Sequence, residues 1–66
     1  MKSELTPREI EVVQEMANGL SSEKIAEKLL ISYNTVRSHK ENIYHKLCCH
    51  DGEYAVAYCF RKRLIE

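Results

Sequence analysis

Residues 21–47 read SSEKIAEKLLISYNTVRSHKENIYHKL, and how this stretch divides decides the fold. Ser21 or Ser22 can cap a short helix whose apolar stripe is Ile25, Ala26 and Leu29, with Leu30 at its margin. Ile31-Ser32 breaks that stripe, and Ser32 is itself a cap candidate. Beyond it Val36, His39, Ile43 and Leu47 recur at helical spacing, so a longer helix is expected from about Tyr33 to Leu47. A short helix, a tight break and a longer helix with a polar outer side form a helix-turn-helix arrangement.

Upstream, Thr6-Pro7-Arg8-Glu9 is a capping box with proline at the first helical position, where its missing N–H costs nothing. Val13, Met16, Ala17 and Leu20 follow at helical spacing, and Gly19 supplies a stop, so a first helix is expected over about Pro7 to Asn18. Downstream, Cys48 to Gly52 reads as a turn and Glu53 to Lys62 as a fourth helix. No stretch alternates with period two. The expected fold is all-α: four helices in one domain, residues 1–66, with a central helix-turn-helix.

Composition bounds what such a domain can do. Sixty-six residues leave room for one small core, and 44% apolar residues can fill it, but there is no room for a layered enzyme with a deep cleft. No apolar run is long enough to span a membrane, and the start MKSELTPRE lacks a signal peptide's apolar stretch. Cys48, Cys49 and Cys59 cannot all pair, which fits reducing surroundings, so a cytoplasmic location is expected.

Ten Lys/Arg against ten Asp/Glu give zero net charge, which at first argues against nucleic acid as a partner. Resolved along the chain, the zero is a cancellation. Residues 1–30 carry four cations and six acids, residues 31–47 three cations and one acid, and residues 48–66 three of each. The positive excess sits on the third helix. At about 100° per residue, Val36, His39, Ile43 and Leu47 face one side of it, while Asn34, Arg37, Ser38, Glu41 and His45 face the other. Asn, Arg, Ser and Glu side chains can all hydrogen-bond base edges. Thr35, Asn42 and Lys46 flank this face on one side and Lys40 and Tyr44 on the other, where phosphates lie beside a helix in a major groove. An ordinary solvated helix face has the same periodicity, so pattern alone leaves a generic helical interaction module open.

The string LTPREIEVV, then ANGLSSEKIAEKLLISYNTVRSHKENIYHKL, then AV in the last helix, resembles the DNA-binding domain of the LuxR/GerE family of bacterial transcription regulators. The resemblance covers residues 5–65. It rests on L-T-x-R-E, A-x-G, I-A-x-x-L, I-S-x-x-T-V-[KR]-x-H and K-L in that order and spacing. It implies a third helix in the major groove of double-stranded DNA and a fourth helix that dimerises. By position, Arg37 and Ser38 fall where family members touch bases, and Glu41 where a basic residue often does; Asn34 on the same face completes the expected base-contact set. Ser32, Thr35, Val36, Lys40 and Lys46 are the expected DNA-backbone set. The chain departs from the family in Glu41, in Lys24 where glutamate is usual, in Gly52 for a common arginine and in Cys48 for a frequent glycine.

In the fourth helix, Tyr54-Ala55-Val56-Ala57-Tyr58-Cys59-Phe60 is apolar or aromatic all round, more than one small core can cover. A homodimer through Tyr54, Ala57, Tyr58 and Arg61 is expected, with packing against another domain as the rival. Family members often carry a receiver or ligand-binding domain upstream, and the chain reads equally as a small regulator or as the end of a longer one. His45, Cys48, Cys49 and His50 suggest metal ligands, but adjacent cysteines seldom reach one tetrahedral ion and no second Cys/His pair stands at finger spacing. No metal, cofactor or catalysis is expected, and Cys49 reads as a core position. His39 reads as a packed histidine with phosphate contact as its rival. Arg61-Lys62-Arg63 reads as cations favoured at a helix C-terminus, or as extra DNA attraction.

Glu41 has two readings: it accepts from a cytosine amino group, or it lowers affinity for phosphates in general. The second is favoured, because a carboxylate in a negatively charged groove needs a donor to offset its desolvation. On that reading Glu41→Lys strengthens binding to mixed-sequence DNA and steepens its salt dependence in an anisotropy titration; unchanged non-specific affinity counts against it.

Overall fold

The structure, a computed structural model, describes residues 4–66. It contains helices α1 (Pro7–Ala17), α2 (Ser22–Leu29), α3 (Tyr33–Leu47) and α4 (Gly52–Arg61), and no strand among the described residues. The all-α expectation therefore holds, and α3 has the bounds its periodicity gave.

Local side-chain chemistry sets each start. The Thr6 hydroxyl accepts from the Glu9 amide at 3.1 Å while the Glu9 carboxylate accepts from the Thr6 amide at 2.8 Å, closing the capping box. Ser21 rather than Ser22 caps α2, accepting from the Lys24 amide at 3.3 Å, and Ser32 caps α3. Helix α4 begins and ends one residue earlier than expected, because Asp51 caps it by accepting from the Tyr54 amide at 2.8 Å. Helix α1 ends at Ala17, with Asn18 as its cap and Gly19 taking the left-handed turn at φ 90°.

The stop after α2 differs from its expected form. Leu30 is not part of the apolar stripe; it adopts φ 59° and is 91% exposed. Its left-handed turn lets the Ile31 amide donate to the Ala26 carbonyl at 3.1 Å and swings Ile31 back toward the core. Cys48 makes the same turn after α3 at φ 55°, which accounts for the glycine common at that position.

Val12, Val13, Ile25, Ala26, Val36, Ile43, Leu47, Ala55, Cys59 and Ile65 form the core. Fully burying a side chain such as Ile25, Ile43 or Leu47 contributes roughly 1.5–3 kcal/mol. Leu20 and Met16 pack on this core from its edge, as does Cys49, whereas His39 is half-buried outside it. A Cβ on Gly52 would lie 2.7 Å from Met16 Cε and 3.3 Å from the Tyr44 hydroxyl. Those two side chains hold the space a larger residue would need.

Helix α1 ties the other elements together through polar groups as well. The Lys46 ammonium of α3 donates to the buried Glu9 carboxylate at 2.7 Å, and Lys28 of α2 meets Glu15 at 2.9 Å. The Gln14 side chain donates to the Glu66 carbonyl at 3.0 Å and accepts from the Glu66 amide at 2.9 Å, pinning the segment after α4 along α1. Burial pushes the Glu9 carboxyl up, but the Lys46 hydrogen bond, the Thr6 donors and the Lys46 charge outweigh it, and its pKa lies below the ordinary value. Glu15 is lowered by its hydrogen bonds to Lys28 and Asn18.

Both depressed carboxyls stabilise the fold above the unfolded glutamate value of about 4.3 and lose that stabilisation as pH falls through their folded values. The melting temperature should hold from neutrality to about pH 5 and fall below about pH 4. Glu9→Gln, which keeps the capping geometry, should melt lower at pH 7 and lose less on acidification. Cys48→Gly relieves a left-handed conformation at an exposed site and should raise stability by about 1 kcal/mol in a thermal melt.

Candidate nucleic-acid interface

Helix α3 presents three different sides. Val36, Ile43 and Leu47 point into the core. On the opposite side Asn34, Arg37, Ser38, Glu41 and His45 are all exposed along one continuous arc. All four expected base-contact residues lie within it. The residues behind the arc are buried and the start of α3 is capped: Ser32 Oγ accepts from the Thr35 amide at 3.0 Å and lies 2.8 Å from the Thr35 hydroxyl.

The expected backbone set divides. Ser32 and Thr35 are exposed at the N-terminus of α3. Val36 is 0% exposed and its amide donates to the Ser32 carbonyl at 3.1 Å, so its side chain packs the core and its amide is taken within the helix. Lys46 is no free cation on the flank, since its ammonium is committed to Glu9 and also donates to the Glu4 carbonyl at 3.4 Å. Lys40 is half-buried, and its ammonium donates to Ser22 Oγ at 2.6 Å. Burial lowers the Lys40 pKa. Ser22 and Tyr33 joined no sequence-based set, and only the packing of α2 on α3 brings Ser22 to Lys40.

On α4, Ala55 and Cys59 face the core, and burial raises the Cys59 thiol pKa. Tyr54, Ala57 and Arg61 are exposed on the side away from the core with Tyr58 half-buried beside them, so the four expected interface residues share one face. The Lys62 ammonium lies 5.8 Å from the Tyr58 ring centroid. Phe60, which is 50% exposed, borders a groove of about 630 Å3 between α1, α3 and α4 that also takes in Met16, Leu20, Tyr44 and Val56. Among the described residues no group of three or more His, Cys, Asp or Glu is placed to hold a metal ion, and no helix is long and apolar enough to cross a membrane.

A capped helix-turn-helix with an exposed polar arc is the arrangement of a class of DNA-binding domains, and comparison with known proteins gives the family. Residues 3–59 match the profile of bacterial regulatory proteins of the luxR family. The chain belongs to this family, whose members are transcription regulators rather than a class of enzyme, and it is a DNA-binding domain of LuxR type. It is 43% identical over 61 residues to the uncharacterized transcriptional regulatory protein YxjL of Bacillus subtilis, covering 92% of this chain and 28% of that protein. It is 47% identical over 58 residues to the transcriptional regulatory protein LnrK of the same organism, covering 88% and 26%. It is 39% identical over 62 residues to the oxygen regulatory protein NreC of Staphylococcus aureus, covering 94% and 29%. The solved structure of the response regulator ChrA, from a heme-sensing two-component system, superposes with a TM-score of 0.90 at 38% identity, covering 98% of this chain and 32% of that one. The chain thus spans between a quarter and a third of the length of these relatives.

Proposed function

We propose that α3 lies in the major groove of duplex DNA and that Asn34, Arg37 and Ser38 read base edges there, with Glu41 beside them. The observation that carries this reading is the single exposed arc of α3, which holds all four residues opposite the buried line of Val36, Ile43 and Leu47. Arg37 is the principal reader, because its planar fork matches the two acceptors of guanine in the major groove. Ser32, Thr35 and Lys40 face the sugar–phosphate backbone. Two copies pair through Tyr54, Ala57, Tyr58 and Arg61 of α4, which sets two recognition helices about one DNA turn apart on an inverted-repeat site. The whole chain, residues 1–66, is one DNA-binding unit that regulates bacterial transcription without catalysis or cofactor. In a longer regulator, a receiver or ligand-binding domain upstream would control that pairing.

An anisotropy titration with mixed-sequence duplex at low salt tests the reading. Binding by the wild type and a loss of about tenfold or more in Arg37→Ala are expected. Binding indifferent to Arg37 would assign the outward face to a protein partner instead. Sedimentation over a range of concentrations, with and without duplex, tests the pairing: a strict monomer even on DNA overturns it.

A further inference from the structure

Among the described residues Lys24, Lys28 and Lys46 each meet a carboxylate, which holds the proton on the nitrogen, and Lys62 is exposed with its ammonium 5.8 Å from the Tyr58 ring centroid. Lys40 is different. It is half-buried, and its ammonium donates to a neutral acceptor, Ser22 Oγ, at 2.6 Å. Burial lowers its pKa, so the neutral, nucleophilic amine is more readily reached at Lys40 than at an ordinary lysine. The bond to Ser22, across eighteen positions of sequence, also fixes where the nitrogen lies.

Two cavities meet at this side chain. On one side is the groove of about 630 Å3, where Met16, Leu20, Val56 and Phe60 form an apolar wall and Glu53 is the one carboxylate. On the other is a depression of about 500 Å3 that takes in Ser22, Tyr33, Arg37 and Glu41. Lys40 and Tyr44 border both. At about 100° per residue, Tyr33, Tyr44 and Arg37 stand within about 60° of Lys40 around α3, and Glu41 about 100° away. The depression thus gathers a guanidinium and the Ser22 and Tyr33 hydroxyls on the lysine's side, with the Glu41 carboxylate at its far rim. An amine set between an apolar wall and a group of anion-binding donors matches a reagent with an apolar acyl chain and an anionic leaving group.

We propose that Lys40 is an acylation site for short-chain acyl phosphates, the acyl chain lying in the apolar groove and the phosphate in the depression against Arg37, with Ser22 as the positioning residue for the amine. The amine nitrogen attacks the acyl carbon. A C–N bond forms as the bond from that carbon to the phosphate oxygen breaks, and the phosphate leaves with the electron pair. Of the two protons the ammonium gives up, one goes to the leaving phosphate and one to solvent. The amide product carries no charge, so the reaction removes a cation from α3. The chemistry is independent of DNA; only its effect on DNA affinity rests on the docking of α3 proposed above.

The test uses the 66-residue chain without DNA, so its outcome is separate from that of the docking. The chain is incubated with acetyl phosphate or butyryl phosphate, labelling at each lysine is followed by peptide mass spectrometry, and melting temperatures are recorded for every variant. Lys40 should be labelled about threefold or more faster than Lys24, Lys28 and Lys62, a margin that one hydrogen bond to the reagent supplies. Arg37→Ala should slow Lys40 by about tenfold and leave the other lysines unchanged, as the loss of a charged donor implies. Arg37 is exposed, so this variant should keep the fold. Ser22→Ala should slow Lys40 alone, and Ser22→Thr, which keeps the hydroxyl, should restore it. Butyryl phosphate should widen the preference for Lys40 by about threefold, as two partly buried methylenes allow. Equal labelling of all exposed lysines and Lys40, or a preference that survives unfolding in urea, overturns the site. An unchanged Lys40 rate in Arg37→Ala, or the same preference with an acyl thioester of coenzyme A, assigns the reactivity to the amine alone and overturns the acyl-phosphate assignment.

Discussion

The carboxylate of Glu9 is the point on which the arrangement of helices depends. It closes the capping box that starts α1 and, from the same buried position, takes the ammonium of Lys46 near the far end of α3. A carboxylate that is 4% exposed must be hydrogen-bonded and paired to remain charged. Meeting that requirement fixes the distance between the start of α1 and the end of α3. With Lys28 on Glu15 performing the same task for α2, helix α1 becomes a frame against which the helix-turn-helix is set. The apolar core supplies most of the cohesion, being non-directional; these polar ties select the orientation in which α3 presents its outer arc.

That orientation has a consequence for electrostatics. The sequence gathers three cations on residues 31–47, but Lys46 is neutralised by Glu9 and Lys40 is partly withdrawn beside Ser22. Arg37 is then the exposed cation of the outward arc, and Glu41 stands one turn away with opposite sign. Each phosphate neutralised adds to the affinity and to its salt dependence, so a domain with so few free cations attracts DNA weakly as a monomer. The pairing proposed above would add the free cations of a second copy to the same site. This is how a neutral chain can belong to a family of DNA-binding regulators.

Cys48 and Gly52 depart from the family's usual residues, and Leu30 carries a backbone conformation that leucine rarely adopts. Cys48 is left-handed where glycine is frequent, and Leu30 is left-handed while almost fully exposed; nothing in the packing of Leu30 offsets its backbone cost. Gly52 has the reverse logic, since Met16 and Tyr44 fill the space a side chain would take. These are local trades between backbone conformation and neighbouring volume, and they leave the four-helix frame unchanged.

The helices themselves were legible in the sequence. Thr6, Ser32 and the stripe of Val36, Ile43 and Leu47 are short-range signals, because caps and apolar periodicity act within one or two turns. The family motifs, which span most of the chain, named the outward residues of α3 for the same reason: facing on a single helix follows from spacing. What spacing could not give was the state of each residue among its neighbours. Spacing put Val36 and Lys46 among the backbone contacts, but not that Val36 is buried or that Lys46 pairs with Glu9, thirty-seven positions away. Leu30 read as part of a stripe until its turn exposed it. Ser22 acquired a role only because α2 packs its first residue against Lys40. Sequence determined the elements and the faces they could show, through interactions a few residues long. Tertiary structure decided which polar groups are already taken and which remain for DNA, because that choice depends on contacts between residues far apart in the chain.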